Sequence, residues 1–205
     1  MTVNRVLVAD PPWDFKTYSN KGQGKSAPYP TLNYKAMLDL PVAGIMAPNS
    51  LLFMWATGPH LAQAMELGAA WGYTYVTIAF TWVKQSSKGH GWHWGMGYYT
   101  RANAELVLLF KRGSGLPRKR RDVHQLIVDN DALALFTETE VIMNRVMAHS
   151  RKPEDVQDRI EQLFDGPYVE LFARRQRSGW LCLGNEIDGL DIRDSLQVSR
   201  QGGGE

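Results

Sequence analysis

Cysteine is nearly absent: Cys182 is the single one in 205 residues. A lone thiol cannot close an internal disulfide, and no Cys/Cys/His zinc cage can be built from it. Long apolar runs are also missing. No window approaches the ~18 uninterrupted apolar residues of a membrane span, and the N-terminus lacks a signal-peptide pattern. A cytoplasmic protein with no membrane partner is expected. Neither sign of charge is in excess, with Lys+Arg 23 against Asp+Glu 21 and a net charge of +2. Bulk electrostatics therefore do not announce a nucleic-acid binder. What is present is an ordinary globular composition, 44% hydrophobic and 21% charged, which excludes general disorder. The length suits one domain, burying roughly 70% of the surface of its unfolded chain. Tryptophan is abundant, with 7 residues. Each either packs in a core or offers a flat face to a planar ligand such as a base.

Along the chain, short apolar runs alternate with helical periodicities. Arg5 to Ala9 reads as a buried strand stopped by Pro11 and Pro12. Residues 14–35 read as a long polar loop, and 34–40 as a short helix. Strand patterns follow at 50–56, 73–83, 104–110, 123–128, 168–173 and 179–183. Helical spacing occupies 60–71 and the stretch from Pro153, where Glu154 and Asp155 suit the positive end of the dipole. Residues 85–100 form a Gly-rich loop carrying Trp92 and Trp94, and 111–121 a basic loop. This order predicts an α/β fold with a mostly parallel sheet and helices on both faces. One domain over 1–194 is expected, with a flexible tail at 195–205 ending in Gly-Gly-Gly-Glu.

Ligands of open α/β sheets bind beyond the carboxyl ends of the strands. Asp10-Pro11-Pro12-Trp13 stands at such an end. An ionised Asp10 accepts hydrogen bonds, the prolines carry carbonyls without N–H groups on a stiff turn, and Trp13 supplies a π face. This suits the exocyclic amine of adenine, whose lone pair is delocalised into the ring. Acceptors for its two N–H groups favour a pyramidal nitrogen and stabilise the positive charge that develops on alkylation. The alternative is a rigid turn with a packed tryptophan. Glu170, Asn185 and Glu186 lie at later strand ends, where acidic residues commonly bind ribose hydroxyls. No Gly-x-Gly-x-x-Gly turn for a pyrophosphate is present, which disfavours NAD or FAD and suits an adenosyl ligand without phosphates. Lys111, Arg112, Arg118, Lys119, Arg120 and Arg121 form a cluster that could track phosphates or be a solvated loop. His90 and His93 lack a nearby carboxylate or thiol, so no metal site is expected.

Asp10 to Trp13, Tyr98 to Glu105, His149 to Glu154, Glu170 to Arg174, Gly179-Trp180 and Gly184 to Glu186 occur in an order that resembles the MT-A family of S-adenosylmethionine-dependent adenine-N6 methyltransferases. The likeness covers roughly residues 5–190. It implies a Rossmann-like methyltransferase sheet in permuted order, with the catalytic element preceding the cofactor element. By position, Asp10, Pro11, Pro12 and Trp13 would hold the target adenine near the sulfonium methyl, placing Asp10 against the cofactor as well. Lys152 would contact the methionine carboxylate, and Arg174 and Asn185 the ribose, with Glu170 and Glu186 nearby. DNA is favoured over RNA, since the short chain is more like the bacterial and phage members. A non-catalytic nucleic-acid-binding subunit is the alternative. A homodimer or partner subunit is plausible, because a small domain has little surface for gripping a duplex. Two departures stand out: an extra stretch at about 129–145, and Arg175-Gln176-Arg177 where eukaryotic members have more neutral residues.

Overall fold

A computed structural model describes residues 3–13, 32–86, 91–128 and 152–201. In chain order the elements are β1 (Asn4–Ala9), α1 (Tyr34–Leu38), β2 (Met46–Ala56), α2 (Leu61–Ala70), β3 (Thr74–Val83), β4 (Ala104–Arg112), β5 (Leu126–Val128), α3 (Asp155–Leu163), β6 (Tyr168–Leu171), β7 (Trp180–Leu183), α4 (Asn185–Asp188) and α5 (Ile192–Gln201). Short 3₁₀ turns at Val42–Ile45 and Gly58–His60 lead into β2 and α2.

The strands form one 7-stranded sheet in the order β5-β3-β4-β2-β1-β6-β7. β1 lies inside it, parallel to β2 and to β6, with Ala9 opposite Met54 and Leu171. β4 alone runs antiparallel to both of its neighbours. The carboxyl ends of every other strand therefore share one edge, and the start of β4 joins them there. Strands this apolar are stable only when covered on both sides. The pleat sorts them accordingly. Leu7, Ala9, Leu52, Met54 and Leu108 face Met37, Leu67, Trp71 and Leu196, from α1, α2, the turn after α2 and α5. Val6, Val8, Phe53, Trp55 and Val107 face Val156 and Ile160 of α3. The expected α/β sheet with helices on both faces is what the chain forms, with the Asp10 strand preceding β6 and β7 in sequence.

Several expectations need correction. Residues 195–201 are not a frayed tail: they belong to α5, whose Leu196 is fully buried against the sheet. The helix was hidden because it has only a narrow apolar stripe (Ile192, Leu196) in a polar sequence. β4 extends to Arg112, so Lys111 and Arg112 end a strand instead of opening a loop. Pairing with β2 carries them, Lys111 opposite Leu51 and Arg112 opposite Ser50. Only Leu126–Val128 of the 123–128 pattern is strand. The 129–145 stretch, most of the 14–35 loop, His90 and residues 202–205 lie outside the described residues. Among the described residues no helix is long and apolar enough to cross a membrane.

Because α5 closes one face of the core, Leu196→Ala should cost about 2–4 kcal/mol by leaving a cavity under the helix. Urea unfolding monitored by tryptophan fluorescence checks this. A change below about 0.5 kcal/mol would mean the helix is not docked as described.

Candidate active site

The sheet edge gathers residues from distant parts of the chain. Asp10 follows β1, Lys84 follows β3, Glu105 lies near the start of β4 and Lys152 precedes α3. Lys152 Nζ donates to both Asp10 oxygens at 2.9 Å and lies 3.3 Å from Glu105 Oε2. The other oxygen of Glu105 accepts from Lys84 Nζ. The result is an alternating row of charges, Asp10, Lys152, Glu105 and Lys84, with side chains only 14–19% exposed. Tryptophans floor it. Lys152 Nζ sits 5.3 Å from the Trp55 ring centroid and Lys84 Nζ 4.7 Å from that of Trp82. The two rings meet edge to face at 6.0 Å. Cations over aromatic faces gain roughly 0.5–2 kcal/mol when partly desolvated.

Burial opposes the Lys152 ammonium, but the Asp10 and Glu105 charges outweigh it and hold its pKa above the ordinary lysine value. Burial likewise opposes the Glu105 carboxylate, and Lys152 and Lys84 together pull its pKa below the usual glutamate value. Lys152 and Glu105 are thus each held in the charged form by oppositely charged neighbours, the condition under which buried ions are tolerated.

The Asp-Pro-Pro-Trp turn is locked from behind. The Trp13 amide donates to the Pro11 carbonyl at 2.8 Å. Trp13 does not present an open π face as expected. Its ring is 5% exposed, stacks on His60 at 5.6 Å and donates through Nε1 to the Trp55 carbonyl at 3.0 Å. His60 Nδ1 is in turn 2.8 Å from Thr57 Oγ1. Trp13 therefore fixes the turn that carries Asp10.

The candidate cofactor residues lie along the same edge. Glu170 pairs across to Val8 and Cys182 and so points toward α3, where Gln157 Nε2 donates to it at 3.1 Å. Burial raises the Glu170 pKa, against the Gln157 bond. Gln157 Oε1 is buried with no hydrogen-bond partner among the described residues. Arg174, after β6, lies 3.7 Å through Nε from Glu186 Oε1 of α4, which Asn185 opens. The loops after β6 and β7 are pressed together. Ala173 N–H donates to Leu183 O at 3.0 Å, and a Cβ on Gly184 would stand 2.4 Å from the Ala173 carbonyl oxygen. Only glycine fits there. Arg175 and Arg177 face α3, pairing with Glu154 and with Asp158 and Glu161.

The basic cluster is not brought to Asp10. Lys111 and Arg112 are at the opposite end of the sheet, Lys119 binds Asp165 at 2.8 Å, and Arg120 pairs with Asp122. Arg118 and Arg121 are exposed on the same loop. No group of His, Cys, Asp and Glu suited to a metal occurs among the described residues. Cys182 is buried in β7, and burial pushes its thiol pKa up. The residues that sequence reasoning passed over are Lys84, Glu105 and Gln157. A carboxylate opening an otherwise apolar strand run was the available signal for Glu105.

The donor set fits an adenosyl sulfonium ligand. Carboxylates and an amide suit ribose hydroxyls and an amino group, and among the described residues no glycine-rich anion cradle is offered to a pyrophosphate. A doubly wound sheet with this edge defines a Rossmann-like methyltransferase. Residues 4–186 match the MT-A70 family, and the chain belongs to it. It is an S-adenosylmethionine-dependent methyltransferase. Among its relatives is the Type II methyltransferase M.MunI of Mycoplasma sp, 34% identical over 97% of this chain and 82% of that protein. The N(6)-adenosine-methyltransferase catalytic subunit METTL3 of Homo sapiens is 31% identical, and the METTL3 subunit of Danio rerio 30% identical, each over 95% of this chain. The chain spans only 30% of the length of either METTL3 protein.

Glu105→Gln leaves Lys84 without its partner and should destabilise the fold by about 3 kcal/mol at pH 7. Because the folded-state pKa of Glu105 is lowered, its contribution is complete above the ordinary glutamate value of 4.5 and fades as pH falls through the lower folded value. Urea midpoints measured from pH 7 to pH 3 should converge for the two proteins only at the acid end. A constant gap would contradict the ion-pair assignment.

Proposed function

We propose that the chain methylates the exocyclic N6 amine of adenine at defined sites in DNA, with Asp10 as the catalytic carboxylate. The observation that carries this reading is the pairing of Asp10 with Lys152 at the end of the central strand. Both carboxylate oxygens are turned toward one buried ammonium, and each keeps a further lone pair for a substrate N–H. Asp10 accepts one N–H of the amine and the Pro12 carbonyl the other. The nitrogen is held pyramidal, with its lone pair aimed away from the turn. Preorganised acceptors of this kind stabilise the positive charge that develops on nitrogen. After transfer the cationic amine sheds one proton, which Asp10 accepts and passes to solvent.

S-adenosylmethionine, when bound, supplies an electrophilic methyl group. Arg174, Asn185 and Glu186 are the groups for its ribose hydroxyls, and Glu170, Asp10 and Lys152 line its approach to the turn. In the structure the Lys152 ammonium is directed at Asp10 and Glu105, so its first role in this reading is to orient Asp10. The target adenine has to leave its stack to reach the turn, which calls for base flipping or an unpaired strand. The preference for DNA rests on M.MunI, which this chain matches over most of both lengths.

Labelled methyl transfer to matched DNA and RNA oligonucleotides tests the reading. Transfer to adenine in DNA should exceed transfer to RNA, and the reverse order would move the substrate to RNA. Asp10→Asn should lower kcat by at least roughly 10²–10³-fold while calorimetric affinity for S-adenosylmethionine changes little. Full activity in that variant would remove Asp10 from the chemistry.

A further inference from the structure

The connection between β3 and β4 leaves the sheet at the same edge as Asp10, and it carries the largest group of exposed aromatic side chains among the described residues. Trp94 is 77% exposed and Trp92 52%, whereas Trp13, Trp55, Trp71, Trp82 and Trp180 are all buried. Met96, Tyr98 and Tyr99 are exposed beside them. Large apolar side chains exposed together on one short segment mark a candidate binding face.

The loop is held in a defined shape. Lys84 N–H donates to the Asn103 carbonyl at 2.7 Å, and His93 N–H donates to the Lys84 carbonyl at 3.1 Å. Bridges between Gln85 and Trp92 and between Gly95 and Ala102 continue the pairing outward. The arms approach so closely that a Cβ on Gly95 would lie 2.0 Å from the Ala102 carbonyl oxygen. The footing is shared with the active site, since the side chains of Lys84 and Glu105 end the charged row that reaches Asp10.

Charge selects the occupant. From Gln85 to Asn103 the sequence contains no Asp or Glu, while it contains Lys88 and Arg101. The Arg101 guanidinium lies over the Trp94 ring at 5.2 Å. Flat rings, a stacked guanidinium and an absence of carboxylates are what an unpaired polynucleotide requires: π faces for its bases and no repulsion for its phosphates.

We propose that residues 91–103 form a stacking platform for the unpaired nucleotides that flank the target adenine, with Trp94 and Tyr99 as its principal rings. This rests on the nucleic-acid reading above and deepens it. The platform grips the strand beside the flipped base through a sequence-tolerant contact. That contact is distinct from the basic loop at the far end of the sheet.

The test is fluorescence anisotropy with labelled single-stranded oligonucleotides carrying one adenine and increasing numbers of flanking nucleotides. Affinity for the wild type should rise as flanking nucleotides are added. Trp94→Ala and Tyr99→Ala should each weaken the longer strands by roughly 5-fold or more. Trp94→Phe should retain most of the affinity. Affinity for S-adenosylmethionine and kcat at saturating oligonucleotide should hold, because neither ring touches the charged row. Equal affinity of wild type and both alanine variants, with methyl transfer intact, overturns the platform and leaves the enzyme reading standing. Failure of the wild type to methylate or bind any oligonucleotide overturns both. Sedimentation velocity covers the other occupant: a dimer in the wild type that both alanine variants dissociate would assign the face to a second copy and overturn the proposal.

Discussion

The site is organised by one ammonium group. Lys152 Nζ bonds to Asp10 across 142 positions of sequence and reaches Glu105 as well, so it ties the first strand, the antiparallel strand and the start of α3 to one point. An unpaired ammonium at this depth would be costly to bury, and so would either carboxylate alone. Each is tolerable because the others are present. The alternation continues to Lys84, and the Trp55 and Trp82 rings beneath the two lysines replace lost water with favourable π faces. The arrangement holds Asp10 in one orientation, the preorganisation that its proposed role in the chemistry requires.

The sheet topology makes that point possible. A purely parallel sheet would bring only strand ends to the ligand edge. Because β4 runs the other way, its beginning stands at the same edge, and Glu105 enters beside Lys84 through the β3–β4 pairing. The same reversal creates the β3–β4 loop and its exposed aromatic rings. The opposite end of β4 places Lys111 and Arg112 away from the chemistry. One antiparallel strand thus supplies part of the candidate active site, shapes the proposed substrate platform and separates both from the basic loop.

Much of the fold was legible in the sequence. The run Arg5 to Ala9 broken by Pro11 and Pro12 read as a buried strand with a ligand edge beyond it, because paired prolines end a ladder and their fixed φ angles stiffen the turn at its end. The helix after Pro153 declared itself through Val156 and Ile160. α5 did not, since a two-residue apolar stripe in a polar segment has too little periodic signal; its burial depends on the groove that the rest of the fold provides. The burial of Trp13 was not legible either, because sequence cannot say which side of a turn is covered. His60 and the Trp55 carbonyl cover it.

By itself the sequence determined the alternation of elements and the stiff Asp-Pro-Pro-Trp turn at a strand end, and the order of its short motifs carried the resemblance to the MT-A family. These are local properties, written in periodicity, proline placement and short motifs. Only the tertiary structure decided that Lys152 holds Asp10, that Glu105 and Lys84 complete the row, and that Trp92 and Trp94 are exposed whereas Trp13 is not. Those facts depend on strand order and register, which bring together side chains far apart in the chain. No local pattern encodes them, because each charge is stable only in the company of the others.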